Sequence, residues 1–112
     1  MLSFEKLRLA NILRKRSWDR NDTWSLSDWG LAMIGEAGEA CNVIKKINRN
    51  QNDMVGNLEL QDSELKNMLG EELADTVIYI DLLAQKVGID LSKAIVDKFN
   101  KISEKHGFQE RL

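Results

Sequence analysis

The chain has 112 residues, 30% charged and 43% hydrophobic, which is the length of one domain and the composition of an ordered globular protein. A formal net charge of −2 and a pI near 5.4 exclude the broad basic surface that a sequence-independent binder of nucleic-acid polymers needs. The single cysteine, Cys41, excludes an internal disulfide and a cysteine-rich zinc site and suits a reducing cytoplasm, and no apolar stretch approaches the roughly 18 residues of a membrane span.

Proline is absent, and a helical period runs through most of the sequence. Residues 2–16 set Leu2, Leu9, Ile12 and Leu13 on one side of a helix, with Glu5, Lys6, Arg8, Lys15 and Arg16 mainly elsewhere. This N-terminus lacks the uninterrupted apolar centre and cleavage site of a signal peptide. A polar stretch with turn formers, SWDRNDTWS, leads to Ser25 or Ser27, either of which suits an N-cap; Ser25 has Asp28 three residues on, a shortened capping box. The second helix is predicted over about 27–48, packing through Trp29, Met33, Ala37, Ala40, Val43, Ile44 and Ile47. Residues 49–62 hold no sustained period and read as a loop, long for a compact domain and suited to movement or to covering something.

A third helix is predicted over about 63–86, ended by Gly88 in a left-handed turn. Asp90 suits the N-cap of a fourth, over about 91–105, with Leu91, Ala94, Ile95, Phe99 and Ile102 inward and Gly107 at its end. Four amphipathic helices without convincing strands predict an all-α four-helix bundle in a single domain. Small size and abundant aliphatic surface favour assembly as a homo-oligomer.

Inside these helices stand two matched pairs of acids, Glu36 with Glu39 in IGEAGEA and Glu72 with Asp75 in GEELADTVIY. Partners three residues apart leave a helix on one face. Each pair sits in an apolar run, where an acid without a cation costs several kcal/mol to desolvate. If the two helices pack antiparallel the pairs meet as an oxygen-rich cage suited to Mg²⁺ or Mn²⁺. Spacing alone does not choose between Glu71 and Glu72, because Glu71 is four residues from Asp75. Tyr79 continues the face of Glu72, and Lys46 lies seven residues beyond Glu39. Gly35 and Gly38, each costing the helix about 1 kcal/mol relative to alanine, permit either tight helix packing or the approach of a ligand. No other catalytic centre is legible. The only histidine, His106, lies in the polar C-terminal segment, neither acid pair contains the histidine of a di-iron motif, and Cys41 has apolar neighbours that suit a core thiol.

Glu36-x-x-Glu39, a spacer of some thirty residues and Glu72-x-x-Asp75 within EELADTVIYI resemble the MazG-like all-α nucleotide pyrophosphohydrolases. The resemblance spans about residues 18–105, through Trp18, LAMIGEAGEA, EELADTVIYIDLLA and KFNKISEKHGF, and its register falls on Glu72 rather than Glu71. It implies Mg²⁺-dependent hydrolysis of nucleoside or deoxynucleoside triphosphates between the α and β phosphates, with the four acids holding the metal and Glu36 or Glu39 as general base. It also implies substrate contacts. Lys98 and Asn100 match polar residues of the family's last helix, Lys101 and Lys105 extend that basic stripe, and Lys46 is a further candidate. Asp28 stands where some relatives carry asparagine, which leaves its part in base or sugar recognition open. Trp18, Trp24 and Trp29 are candidates for stacking on the base, with packing the better expectation for Trp29.

The implied role is cytoplasmic house-cleaning of nucleotides by a homodimer or a dimer of dimers. Competing expectations are a related hydrolase of phosphoribosyl-ATP or a nucleoside diphosphate, and a non-catalytic helical dimer that binds a protein partner.

Overall fold

A computed structural model of the chain describes residues 1–52 and 61–112. Among the described residues it is all-α, with four helices and no strand: α1 (Phe4–Trp18), α2 (Leu26–Gln51), α3 (Asp62–Lys86) and α4 (Leu91–His106). No helix of the described residues is long and apolar enough to cross a membrane.

The helix starts follow from local side-chain chemistry. Ser3 accepts a hydrogen bond from the Lys6 amide at 3.1 Å, and Asp90 accepts one from the Lys93 amide at 3.0 Å. At α2 the capping box is complete. The Asp28 amide donates to Ser25 Oγ at 3.1 Å while the Ser25 amide donates to Asp28 Oδ2 at 2.8 Å. Each bond satisfies an amide that the first helical turn leaves without a partner. At the other ends Gly88 and Gly107 both take φ of +73°, the left-handed conformation that glycine adopts without a Cβ penalty.

Two predicted boundaries move. Helix α1 runs on through Trp18, into the stretch expected to be irregular, and stops where the Asp19 amide donates back to Lys15 O at 2.8 Å. The Asp19 carboxylate, itself buried, then holds the Thr23 amide and hydroxyl at 2.9 and 2.6 Å. Helix α2 continues past residue 48 to Gln51, ended by the Asn52 side chain on Asn48 O at 2.8 Å. Most of the expected loop at 49–62 lies at residues 53–60, outside the described residues.

The described residues form two compact units, Met1–Thr23 with Asp81–Leu112, and Trp24–Ile80. In the first, α1 meets α4, but not as periodicity predicts. Leu2, Leu9 and Leu13 are exposed, and the buried residue of α1 is Asn11. The cause is Asp81, only 1% exposed. A desolvated carboxylate must be paired, and it takes Arg8 Nε at 3.0 Å and Asn11 Nδ2 at 2.9 Å. Arg8 and Asn11 therefore turn inward, beside half-buried Phe4, Leu7 and Ile12. Phe99 and Ile102 of α4, expected inward, are likewise about 40% exposed. The C-terminal segment returns along α4, where the Asn100 amide group accepts from Leu112 N at 2.8 Å and donates to Leu112 O at 3.2 Å.

In the second unit α2 and α3 run antiparallel. Trp29 faces Tyr79 with ring centroids 6.2 Å apart, and Asn50 Nδ2 reaches Asp62 Oδ1 at 3.2 Å at the opposite end. Trp29 and Leu65 are fully buried, with Ala40 and Val43 nearly so. Ile44, expected to pack, is 42% exposed.

Candidate metal centre

Between the Trp29–Tyr79 contact and the Asn50–Asp62 contact, the antiparallel helices bring acids face to face. Carboxylate oxygens of Glu36, Glu39 and Glu72 all lie within 4.8 Å of one another. The i, i+3 spacing on α2 puts Glu36 and Glu39 on one side of that helix, and the opposed direction of α3 delivers Glu72 to them. Glu71 is exposed and outside the group, as is Asp75, which is nevertheless near enough for its charge to act on Glu36 and Glu72. Thr76 Oγ1 donates to the Glu72 carbonyl at 2.8 Å, a back-bond within α3 at the level of the acids.

The electrostatics of the group are unfavourable as it stands. Burial, then the charges of Glu39 and Asp75 and a hydrogen bond with Glu39, push the Glu36 carboxyl above the ordinary glutamate range. Glu72 is raised as well, first by a hydrogen bond with the Glu39 carboxyl, then by burial and by the charges of Glu39, Glu36 and Asp75. Like charges crowded together hold protons that isolated acids release. Glu72 Oε2 is shut away from solvent without a hydrogen-bond donor. The ion pairs Arg8–Asp81 and Asp22 with Lys15 and Lys86 lie in the other unit. Clustered oxygens, raised pKa values and an orphaned buried oxygen are what a hard divalent cation would relieve, so the residues fit Mg²⁺ or Mn²⁺.

Other sequence-predicted residues distribute unevenly. Asp28 and half-buried Lys46 share the unit of the acids, and Asp28 already caps α2 with one oxygen. Trp18, Lys98, Asn100 and Lys101 belong to the other unit. Within α4 the stripe divides. Lys98 and Lys101 are exposed, whereas the Asn100 amide is engaged by the Leu112 main chain.

Sequence reasoning named Trp24, Trp29, Asp28 and Tyr79 singly but missed Leu31, Ala32 and the groove they line with Trp24 and Asp28. Trp24 packs on Trp29 at 4.6 Å, Trp29 on Tyr79, and a groove of about 530 Å³ opens beside Trp24, lined by Asp28, Leu31 and Ala32. Its signal was present in the i, i+4, i+8 run Asp28, Ala32, Glu36. The glycines beside the acids gain no explanation from packing among the described residues, where a Cβ at Gly35 or Gly38 would meet nothing within 4 Å.

No curated protein matches the chain. A family model does: the MazG nucleotide pyrophosphohydrolase domain matches residues 25–108, a span containing all four acids and most of the chain. The chain therefore belongs to the MazG nucleotide pyrophosphohydrolase family.

Proposed function

We propose that this chain, as a single MazG domain, hydrolyses nucleoside or deoxynucleoside triphosphates between the α and β phosphates. The observation that carries the reading is the convergence of Glu36, Glu39 and Glu72, with Asp75 in electrostatic range, around a buried oxygen that lacks a donor. Mg²⁺ or Mn²⁺ held by these four acids would neutralise the phosphates and make an attacking water more acidic.

The chain's own part is to bind that charge and to move one proton. A water oxygen bonds to the α phosphorus as the α–β bridging bond breaks, and the electron pair leaves with pyrophosphate. The water's proton passes to the carboxylate of Glu36 or Glu39 and then to solvent, leaving a nucleoside monophosphate and pyrophosphate. Lys46, Lys98, Asn100 and Lys101 remain candidates for phosphate contacts, with Trp18 and Asp28 for the nucleoside.

Homo-oligomerisation belongs to the same reading. Leu31, Ile34, Leu73 and Val77 are 72%, 63%, 51% and 41% exposed in the isolated chain, apolar side chains that a second copy of the chain would cover. A free Cys41 suits a cytoplasmic enzyme acting in nucleotide house-cleaning.

The test is product analysis with purified protein, Mg²⁺ and a panel of nucleotides. Monophosphate and pyrophosphate, lost on chelation and restored by Mg²⁺, support the reading. Orthophosphate from a nucleoside diphosphate, or turnover of phosphoribosyl-ATP alone, points to the related hydrolases. No metal-dependent turnover of any nucleotide overturns it in favour of a binding protein.

A further inference from the structure

Asp28, Ala32, Glu36 and Glu39 follow i, i+4, i+8 and i+11 on α2, so the acids and the groove beside Trp24 share a helix face. Eight residues separate Asp28 from Glu36, about 12 Å along the axis, which is the reach of a nucleoside from its base to its first phosphates. Lys46 continues this face about 10 Å beyond Glu39. The three features stand in the order of a nucleotide: an aromatic groove, a cluster suited to a cation on phosphate, then a basic residue.

We infer that a nucleoside triphosphate lies along α2 with its base in the groove of Trp24, Asp28, Leu31 and Ala32, and that Asp28 selects bases carrying an exocyclic amine. The inference rests on the hydrolase reading above and adds to it the direction of the substrate and the class of base. Trp24 is half-buried, with one side against Trp29, and its remaining surface lines the groove as a platform for a planar ring. Leu31 and Ala32 complete an apolar floor. A polar group of the groove is the Asp28 carboxylate, whose Oδ2 receives the Ser25 amide at 2.8 Å.

An ionised carboxylate only accepts hydrogen bonds. The 4-amino group of cytosine and the 6-amino group of adenine donate, whereas the 4-oxo group of uracil and thymine accepts. Two acceptors facing each other in a groove leave both without a partner, and a site built on hydrogen bonding discriminates strongly for that reason. The shared cap also fixes the carboxylate: the bond from Ser25 holds Asp28 at the head of α2 before any base arrives.

The experiment compares dCTP with dUTP, and dATP with dITP, pairs that differ at the amino or oxo substituent and carry identical phosphates. Wild-type protein with Mg²⁺ should favour the amino member of each pair by at least about tenfold in kcat/KM. Asp28→Asn, which can turn an amide donor to the oxo group, should bring both ratios within about threefold. Each ratio is taken on one enzyme preparation, so partial unfolding from a weakened cap scales both substrates alike. Trp24→Ala should raise KM about tenfold for every nucleotide, with a smaller change in kcat. A wild-type ratio near one, or ratios untouched by Asp28→Asn, overturns the inference and leaves the hydrolase reading standing. If no nucleotide is hydrolysed, tryptophan fluorescence with Mg²⁺ decides. Binding of dCTP about tenfold tighter than dUTP keeps the base groove while the hydrolase reading falls, and equal or absent binding removes both.

Discussion

Glu39 touches both raised acids, and its loss should therefore act in opposite directions on stability and on activity. The ionised cluster destabilises the metal-free fold. For an acid whose folded pKa is raised, that destabilisation is absent at low pH and grows as pH climbs above the ordinary value of 4.5 and through the raised folded value. Glu39→Gln removes one charge, so at neutral pH and without metal it should raise the melting temperature by roughly 1–4 °C. The same variant should lose most of the stabilisation that Mg²⁺ gives the wild type, and nearly all activity; calorimetry with and without chelator reads both. Glu72→Gln should cost at least about a hundredfold in kcat/KM. Exposed Glu71→Gln should stay within about threefold, and equal losses at the two positions would contradict the role given to Glu72. These acids were legible in the sequence because two i, i+3 pairs in apolar runs need only a helical period to be placed. The groove on the same helix was not. Neither Leu31 nor Ala32 by itself carries a signal in the sequence, and only the fold sets them with Trp24 around one groove.

At the scale of elements, boundaries were legible wherever one side chain sets them. Ser25 with Asp28, Asp90, Gly88 and Gly107 all cap or close helices where their chemistry predicts. The inward side of α1 was not legible, because periodicity weighs Leu9 and Leu13 but is blind to a distant buried acid. Asp81 lies seventy residues away from Asn11, and only the fold brings its demand for donors to α1. Asp22 supplies a second long-range tie. At φ of +53°, a conformation aspartate tolerates, its carboxylate joins Lys15 of α1 at 2.6 Å and Lys86 of α3 at 3.2 Å. Hydrogen bonds from Lys15 and then Lys86 hold its pKa below the ordinary 3.8. A depressed folded pKa means that the stabilisation is complete above 3.8 and disappears as pH falls through the lower folded value. Asp22→Asn keeps the backbone tolerance and loses the charge. It should melt slightly below the wild type at neutral pH, and the gap should close in acid; thermal scans across pH 2–7 would expose a gap of any other shape.

The described helices leave several large apolar side chains exposed. The exposed Leu31 and Ile34 on α2 and Leu73 and Val77 on α3 belong to one compact unit, and Phe99 and Ile102 to the other. Helix periodicity identified Phe99 and Ile102 as packing positions but carries no information on whether the covering partner is the same chain. We expect sedimentation to give a dimer or a dimer of dimers. Ile34→Arg, a charge set into the exposed stripe of α2, should shift the protein toward monomer by about tenfold or more in dissociation constant. A wild-type monomer with full activity would remove oligomerisation from the functional reading.

Asn100 holds Leu112 by its main-chain amide and carbonyl, and a grip of that kind does not read the side chain. Position 112 should consequently tolerate almost any residue that keeps an N–H, and reject proline, which has none. Leu112→Pro should leave the helices intact while the segment after Gly107 peels from α4, making Phe108–Glu110 newly open to cleavage by proteases. Leu112→Ala should remain as resistant as the wild type, so limited proteolysis followed by mass measurement separates a main-chain latch from an ordinary apolar contact.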